Sequence, residues 1–182
     1  KKPLNYINNS KNNWDYYPTY TEYANMMQAF ADSFPAICKL HHLGTLNSGR
    51  EILILQISEN VGQKQNKPSF LYTSSMHGDE LAGYILSLRL VDYILNGYGN
   101  NPRLTNLINE IDIWINPLAN PDGAYAGGNQ NVWSATRYNA NWVDLNRNYD
   151  FNWIFGDDEY ELDYGCSANP SYISNFDYYR GK

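Results

Sequence analysis

Apolar residues recur at helical spacing over Tyr23, Met26, Met27, Phe30 and Phe34, and the recurrence stops at Pro35. Thr19, followed three residues later by Glu22 and preceded by Pro18, has the pattern of a capping box, so a helix is predicted between these limits. Its Met/Phe stripe reads as core packing and not as a cofactor box. Residues 36–46 and 51–58 are rich in β-formers and flank Asn47-Ser48-Gly49, which predicts an antiparallel hairpin. A polar loop over residues 59–67 leads to Phe70-Leu71-Tyr72-Thr73, a run fit for a buried strand. Leu81, Tyr84, Ile85, Leu88, Val91 and Leu95 mark a second helix that ends at Gly97. A shorter helix over residues 102–110 feeds a further strand, Ile111-Asp112-Ile113-Trp114-Ile115. Helices alternating with strands predict an α/β fold with helices on both faces of a sheet, and the hairpin makes that sheet mixed parallel and antiparallel.

The pattern fades at both ends. Residues 1–18 are an Asn- and Tyr-rich irregular lead-in, and residues 19–182 form the expected folded body. After Asn116, Gly, Asn, Asp and Trp dominate, and no period survives to Lys182. A loop-rich stretch of that length inside a compact domain points to function.

Composition narrows the function classes. The 182 residues carry 13 Lys+Arg against 19 Asp+Glu, a net charge of −6, and form no basic cluster. Nucleic-acid binding is therefore excluded as an expectation. No apolar run approaches the length of a membrane span or of a retained signal peptide. Aromatic residues reach 15% with few charges, which favours a secreted or periplasmic setting. Cys38 and Cys166 are too isolated for a zinc finger or a thioredoxin motif, and one disulfide between them is allowed but not required.

Three segments carry candidate chemistry. His77-Gly78-Asp79-Glu80 follows a predicted strand and opens a predicted helix, so its imidazole and carboxylate can converge on one metal ion. Taken alone it reads equally well as acidic residues complementing a helix dipole. Asn120-Pro121-Asp122-Gly123 reads as a β-turn. In the segment from Arg137 to Asn148, Arg147 offers a planar fork for a carboxylate and Asn146 an amide donor.

Taken in order, H-x-x-E, N-P-D-G and R-x-N-A-x-x-V-D-L-N-R-N resemble the zinc metallocarboxypeptidases, the family of carboxypeptidases A and B. Upstream, Tyr20-x-x-Tyr23, the stretch from Pro35 to Leu43-Gly44, and Ser48-Gly49-Arg50-Glu51-Ile52 look like that family's opening helix and hairpin. The Arg137–Arg147 segment and Asp79 are closest to the regulatory E, D, M and N subgroup. The resemblance runs from about Tyr16 to Lys182. It implies one zinc ion held by His77 and Glu80, with Asp144 orienting the histidine. It also implies that Arg137 stabilises a tetrahedral oxyanion, and that Asn146 and Arg147 grip the terminal carboxylate of a peptide substrate. The implied reaction is hydrolysis of the C-terminal peptide bond of peptides or proteins.

The family pattern also needs a second ligand histidine, a glutamate base and a closing tyrosine further downstream. The only histidines here are His41, His42 and His77, and the first two fall in the hairpin. Tyr178-Tyr179-Arg180-Gly181-Lys182 looks like the stretch just before that missing part. The expectation is the N-terminal portion of a catalytic domain, truncated on its C-terminal side and inactive on its own. Two other readings stay open: an aspartoacylase-like amino-acid deacylase, and a non-catalytic domain that binds peptide C-termini.

Overall fold

The computed structural model describes residues 14–64 and 66–147. Helix α1 (Tyr20–Ser33) starts where the capping box places it. Thr19 Oγ1 accepts from Glu22 N at 3.2 Å, and the Glu22 carboxylate accepts from Thr19 N at 2.9 Å. Strands β1 (Cys38–Thr45) and β2 (Glu51–Ile57) form the antiparallel hairpin, with a register shift between His42 and Gly44. Strand β3 (Ser69–Thr73), helix α2 (Ala82–Gly97), helix α3 (Pro102–Glu110) and strand β4 (Asp112–Asn116) follow. Asn101 caps α3 by accepting from Arg103 N and Leu104 N, and Pro102 occupies its first position.

Among the described residues the sheet runs β1-β2-β4-β3. β2 pairs antiparallel with β4, and β3 pairs parallel with β4 through the α2–α3 crossover. The sheet is therefore mixed, as expected. Leu53, Leu55, Ile57, Ile113 and Ile115 meet Tyr23, Met27, Phe30, Leu88, Val91 and Ile108 of the helices in one buried cluster. Three tyrosines close its far end. Tyr23 packs edge-on against Tyr84, whose hydroxyl lies 3.0 Å from that of Tyr125, and Tyr125 in turn donates to Pro18 O at 2.7 Å. The fully buried Tyr23 hydroxyl has no hydrogen-bond partner among the described residues. Tyr23→Phe deletes an unsatisfied polar atom, so it is expected to leave stability unchanged or raise it by about 1 kcal/mol in urea denaturation. A loss of that size would show that the hydroxyl has a partner. Cys38 is also buried, and burial pushes its thiol up to about 12. It is free among the described residues, and Cys166 lies outside them.

Two expectations are corrected. Phe70-Leu71-Tyr72-Thr73 is a strand but not a buried one, because β3 is the outer strand and all five of its residues are exposed. β4 covers one of its edges, and no described element pairs with the other. α2 likewise leaves Leu86, Leu90 and Tyr93 exposed, a stripe apart from its buried one. The N-P-D-G segment is not a plain β-turn. It is a single helical turn, α4 (Pro121–Ala124), capped by Asn120 Oδ1 accepting from Gly123 N at 2.9 Å.

The pairing of β3 with β4 fixes where chemistry can occur. Both strands end at the same border, and the segments beyond them stay joined. Ser74 N donates to Asn116 O, Ala119 N to Ser74 O, and Asn120 N to Ser75 O, all within 3.1 Å. Carboxyl ends of parallel strands are where open α/β sheets bind ligands.

Candidate active site

His77 and Glu80 sit on the segment that leaves β3. Ser75 adopts a left-handed backbone (φ 52°) and directs its hydroxyl to Glu80 O at 2.8 Å. Glu80 N donates to His77 O at 3.2 Å, which closes a turn that brings the two side chains together. His77 Nδ1 then stands 3.0 Å from Glu80 Oε1. Helix α2 begins only at Ala82 and has no acidic residue in its first turn, so the dipole reading of Asp79 and Glu80 is not met. His77 is buried, and the Glu80 carboxylate is mostly exposed.

The other face of the imidazole is held from far along the chain. Asn139 Oδ1 accepts from Asn141 N and Val143 N at 2.9 and 3.0 Å. Trp142 takes a left-handed φ of 60°, and Asn139 N donates to Val143 O. The chain thus doubles back and returns Asp144 beside Arg137. Asp144 Oδ1 lies 3.1 Å from His77 Nε2 and accepts from Asn146 N at 3.0 Å, while Oδ2 accepts from Arg137 Nε at 2.7 Å. Burial disfavours the charge on Asp144, but the hydrogen bond and charge of Arg137, joined by His77 and Asn146 N, outweigh it and hold the carboxyl below the usual range. The same bond raises Arg137 above the ordinary guanidinium value. Arg137 Nη1 reaches to 3.8 Å from Glu80 Oε1.

Four of the six sequence-nominated residues, His77, Glu80, Arg137 and Asp144, are therefore in one constellation. Asn146 adjoins it through its backbone on the 3-10 turn Leu145–Arg147, and the Arg147 side chain lies outside the described residues. His41 and His42 are on β1, separated from β3 by the two strands β2 and β4, where they face Gln56 and Glu51. The donor chemistry suits zinc. With Nε2–H directed at Asp144, the lone pair of a neutral His77 is left on Nδ1, beside a Glu80 oxygen. Two donors on one tetrahedral zinc stand about 3.4 Å apart, close to the separation seen. Among the described residues no set of three or more His, Cys, Asp or Glu converges as a complete metal site.

The zinc carboxypeptidase family model matches residues 23–178, most of the chain. The chain belongs to the zinc carboxypeptidase family. Carboxypeptidase D of Homo sapiens is 35% identical over 125 residues, which is 68% of this chain and 9% of the relative. The zinc carboxypeptidase of Saccharothrix mutabilis subsp. capreolus is 30% identical over 151 residues, covering 76% of this chain and 35% of the relative. The solved carboxypeptidase A from Helicoverpa armigera superposes with a TM-score of 0.64 at 30% identity, over 77% of this chain and 35% of that one. The chain thus spans about a third or less of these zinc carboxypeptidases.

Sequence reasoning missed the residues that carry the constellation. Ser75 and Asn139 set the two turns, and Arg50 and Ser48 reach the N-P-D-G turn through Asp122. None belongs to a metal or nucleophile motif. Ser48, Arg50 and Asn139 did fall inside segments that resemble the family, but nothing in those segments assigned them a structural role. Ser75 carried no signal beyond a small polar residue where apolar periodicity ends.

Proposed function

We propose that this chain carries the zinc- and substrate-binding part of a metallocarboxypeptidase that hydrolyses the C-terminal peptide bond of peptides and proteins. The observation that carries the reading is the His77 imidazole, with Nδ1 beside Glu80 and Nε2 on an Asp144 that also holds Arg137. His77 and Glu80 would hold one Zn2+, which when bound supplies Lewis acidity and an activated water. Asp144 fixes the histidine tautomer that leaves Nδ1 available, and keeps Arg137 charged and aimed at the same point. The Arg137 Nη groups, on the Glu80 side, offer a preorganised positive charge to an oxyanion. Asn146 and Arg147 would bind the terminal carboxylate, which makes the activity an exopeptidase because an internal peptide bond offers that pair no carboxylate.

The resemblance also calls for a further ligand histidine and a glutamate base, and no histidine follows His77 in the sequence. The 182 residues by themselves are expected to bind zinc weakly and to hydrolyse nothing. An extracytoplasmic location is part of the same proposal, supported by a composition that is 15% aromatic and only 18% charged.

The test is C-terminal residue release by the intact protein from a peptide with a free carboxylate. Chelation should abolish release and zinc restore it, and the amidated peptide and N-acyl amino acids should be inert. His77→Ala should cost more than the roughly 100-fold that losing a ligand's supporting partner costs. Turnover that survives His77→Ala, or that runs faster on N-acyl amino acids, overturns the reading.

A further inference from the structure

Arg50 and Asp122 lie outside the constellation, yet they form the most enclosed Arg–carboxylate pair among the described residues. Arg50 Nη1 donates to Asp122 Oδ1 at 2.8 Å with both side chains largely buried, and Ser48 Oγ donates to the same oxygen at 2.5 Å. The rest of the guanidinium is also spent on one segment. Nη2 donates to Tyr125 O and Nε to Asn129 Oδ1, each at 2.8 Å. The group also borders the edge-packed rings of Tyr20 and Tyr125, at 6.0 and 5.9 Å from their centroids. A side chain from the hairpin turn thus grips residues 122, 125 and 129 at once, which a planar fork does and an ammonium does not.

That segment is the platform for both halves of the site. A Cβ on Gly78 would collide with the backbone of Gly123 and Ala124, so the His77–Glu80 turn rests directly on α4. Thr136 N donates to Gly123 O at 2.9 Å, and Arg137 O accepts from Gly78 N at 3.4 Å and from Asn120 Nδ2 at 3.5 Å. α4 therefore touches the turn that carries His77 and the irregular stretch that carries Arg137.

We propose that Arg50, through Asp122, is a positioning residue that clamps α4 and thereby sets the spacing between the His77–Glu80 turn and Arg137. As a statement about positioning catalytic groups it rests on the proposed function, although its decisive readout needs neither metal nor turnover.

The experiment is amide hydrogen exchange on the intact protein carrying Arg50→Lys, and separately Asp122→Asn, which keeps the size of the side chain and the Oδ1 acceptor but removes the charge that pairs with Arg50. Exchange at Gly78 and Thr136 is expected to accelerate about tenfold or more while the α1 amides of Met27 and Phe30 keep their wild-type rates. Equal acceleration in α1 and at the site, or no change at either, overturns the proposal. If Arg50→Lys does not fold, Asp122→Asn decides by the same criterion. A peptidase assay on the same variants should show kcat falling about tenfold with KM within about twofold, because misplacing Arg137 weakens contacts formed in the transition state. Local exchange acceleration in a protein that hydrolyses no peptide would sink the functional reading and leave the clamp standing. Normal exchange in an active peptidase would do the reverse.

Discussion

Replacing Gly78 with alanine is expected to lower the melting temperature by roughly 6–12 °C, the equivalent of about 3 kcal/mol. Gly78 needs no special backbone angle, so the cost is steric: the new methyl would lie inside the backbone of Gly123 and Ala124. Neither side can retreat without loss. Gly123 N is tied to Asn120 Oδ1 and Gly123 O to Thr136 N, while Gly78 N is tied to Arg137 O. Separating the turns to admit one carbon breaks hydrogen bonds of both. Gly44→Ala is the control, since a Cβ there meets nothing within 4 Å, and it should change stability by no more than about 0.5 kcal/mol. Differential scanning calorimetry decides between them. A Gly78→Ala protein melting within about 2 °C of wild type would mean that the two turns slide freely.

Asp144→Asn is expected to weaken zinc binding 10- to 100-fold, read by competition against a chromophoric chelator. The substitution is nearly isosteric but reverses the polarity of one oxygen. Asparagine has a single acceptor, and Arg137 Nε, at 2.7 Å from Oδ2, claims it. Its NH2 then faces His77 Nε2, which must accept and so moves the ring proton to Nδ1. An imidazole protonated at Nδ1 cannot ligate on the Glu80 side. Stability should fall less than affinity, because Arg137 is one-third exposed and water replaces part of the lost charge interaction. Zinc affinity within about twofold of wild type would remove Asp144 from the role given to it.

Local rules made several elements readable from sequence. The Thr19/Glu22 box, the Pro102 start of α3 and the Asn47-Ser48-Gly49 hairpin each depend on a few neighbouring residues, and each lies where its pattern places it. The exposure of β3 was not readable, because Phe70-Leu71-Tyr72 reports only its own apolarity and not how many strands flank it. The site shows the same division. His77 and Glu80 meet across one turn and can be nominated from their spacing. Asp144 reaches His77 only because Trp142 takes a left-handed backbone inside a loop tied by Asn139, a conformation its residue type does not announce. Ser75 is unannounced for the same reason.

The two rims of the sheet differ in character. β1 carries Lys39, His41, His42 and a register shift, devices that discourage another chain from pairing. β3 offers three consecutive exposed apolar residues, Phe70, Leu71 and Tyr72, the last of them five positions from His77. Among the described residues β3 is thus the border suited to a further strand, and a strand laid there would become the immediate neighbour of the histidine turn. That border and the histidine turn adjoin, so a lesion in strand docking there would disturb the His77–Glu80 pair before it melted the core.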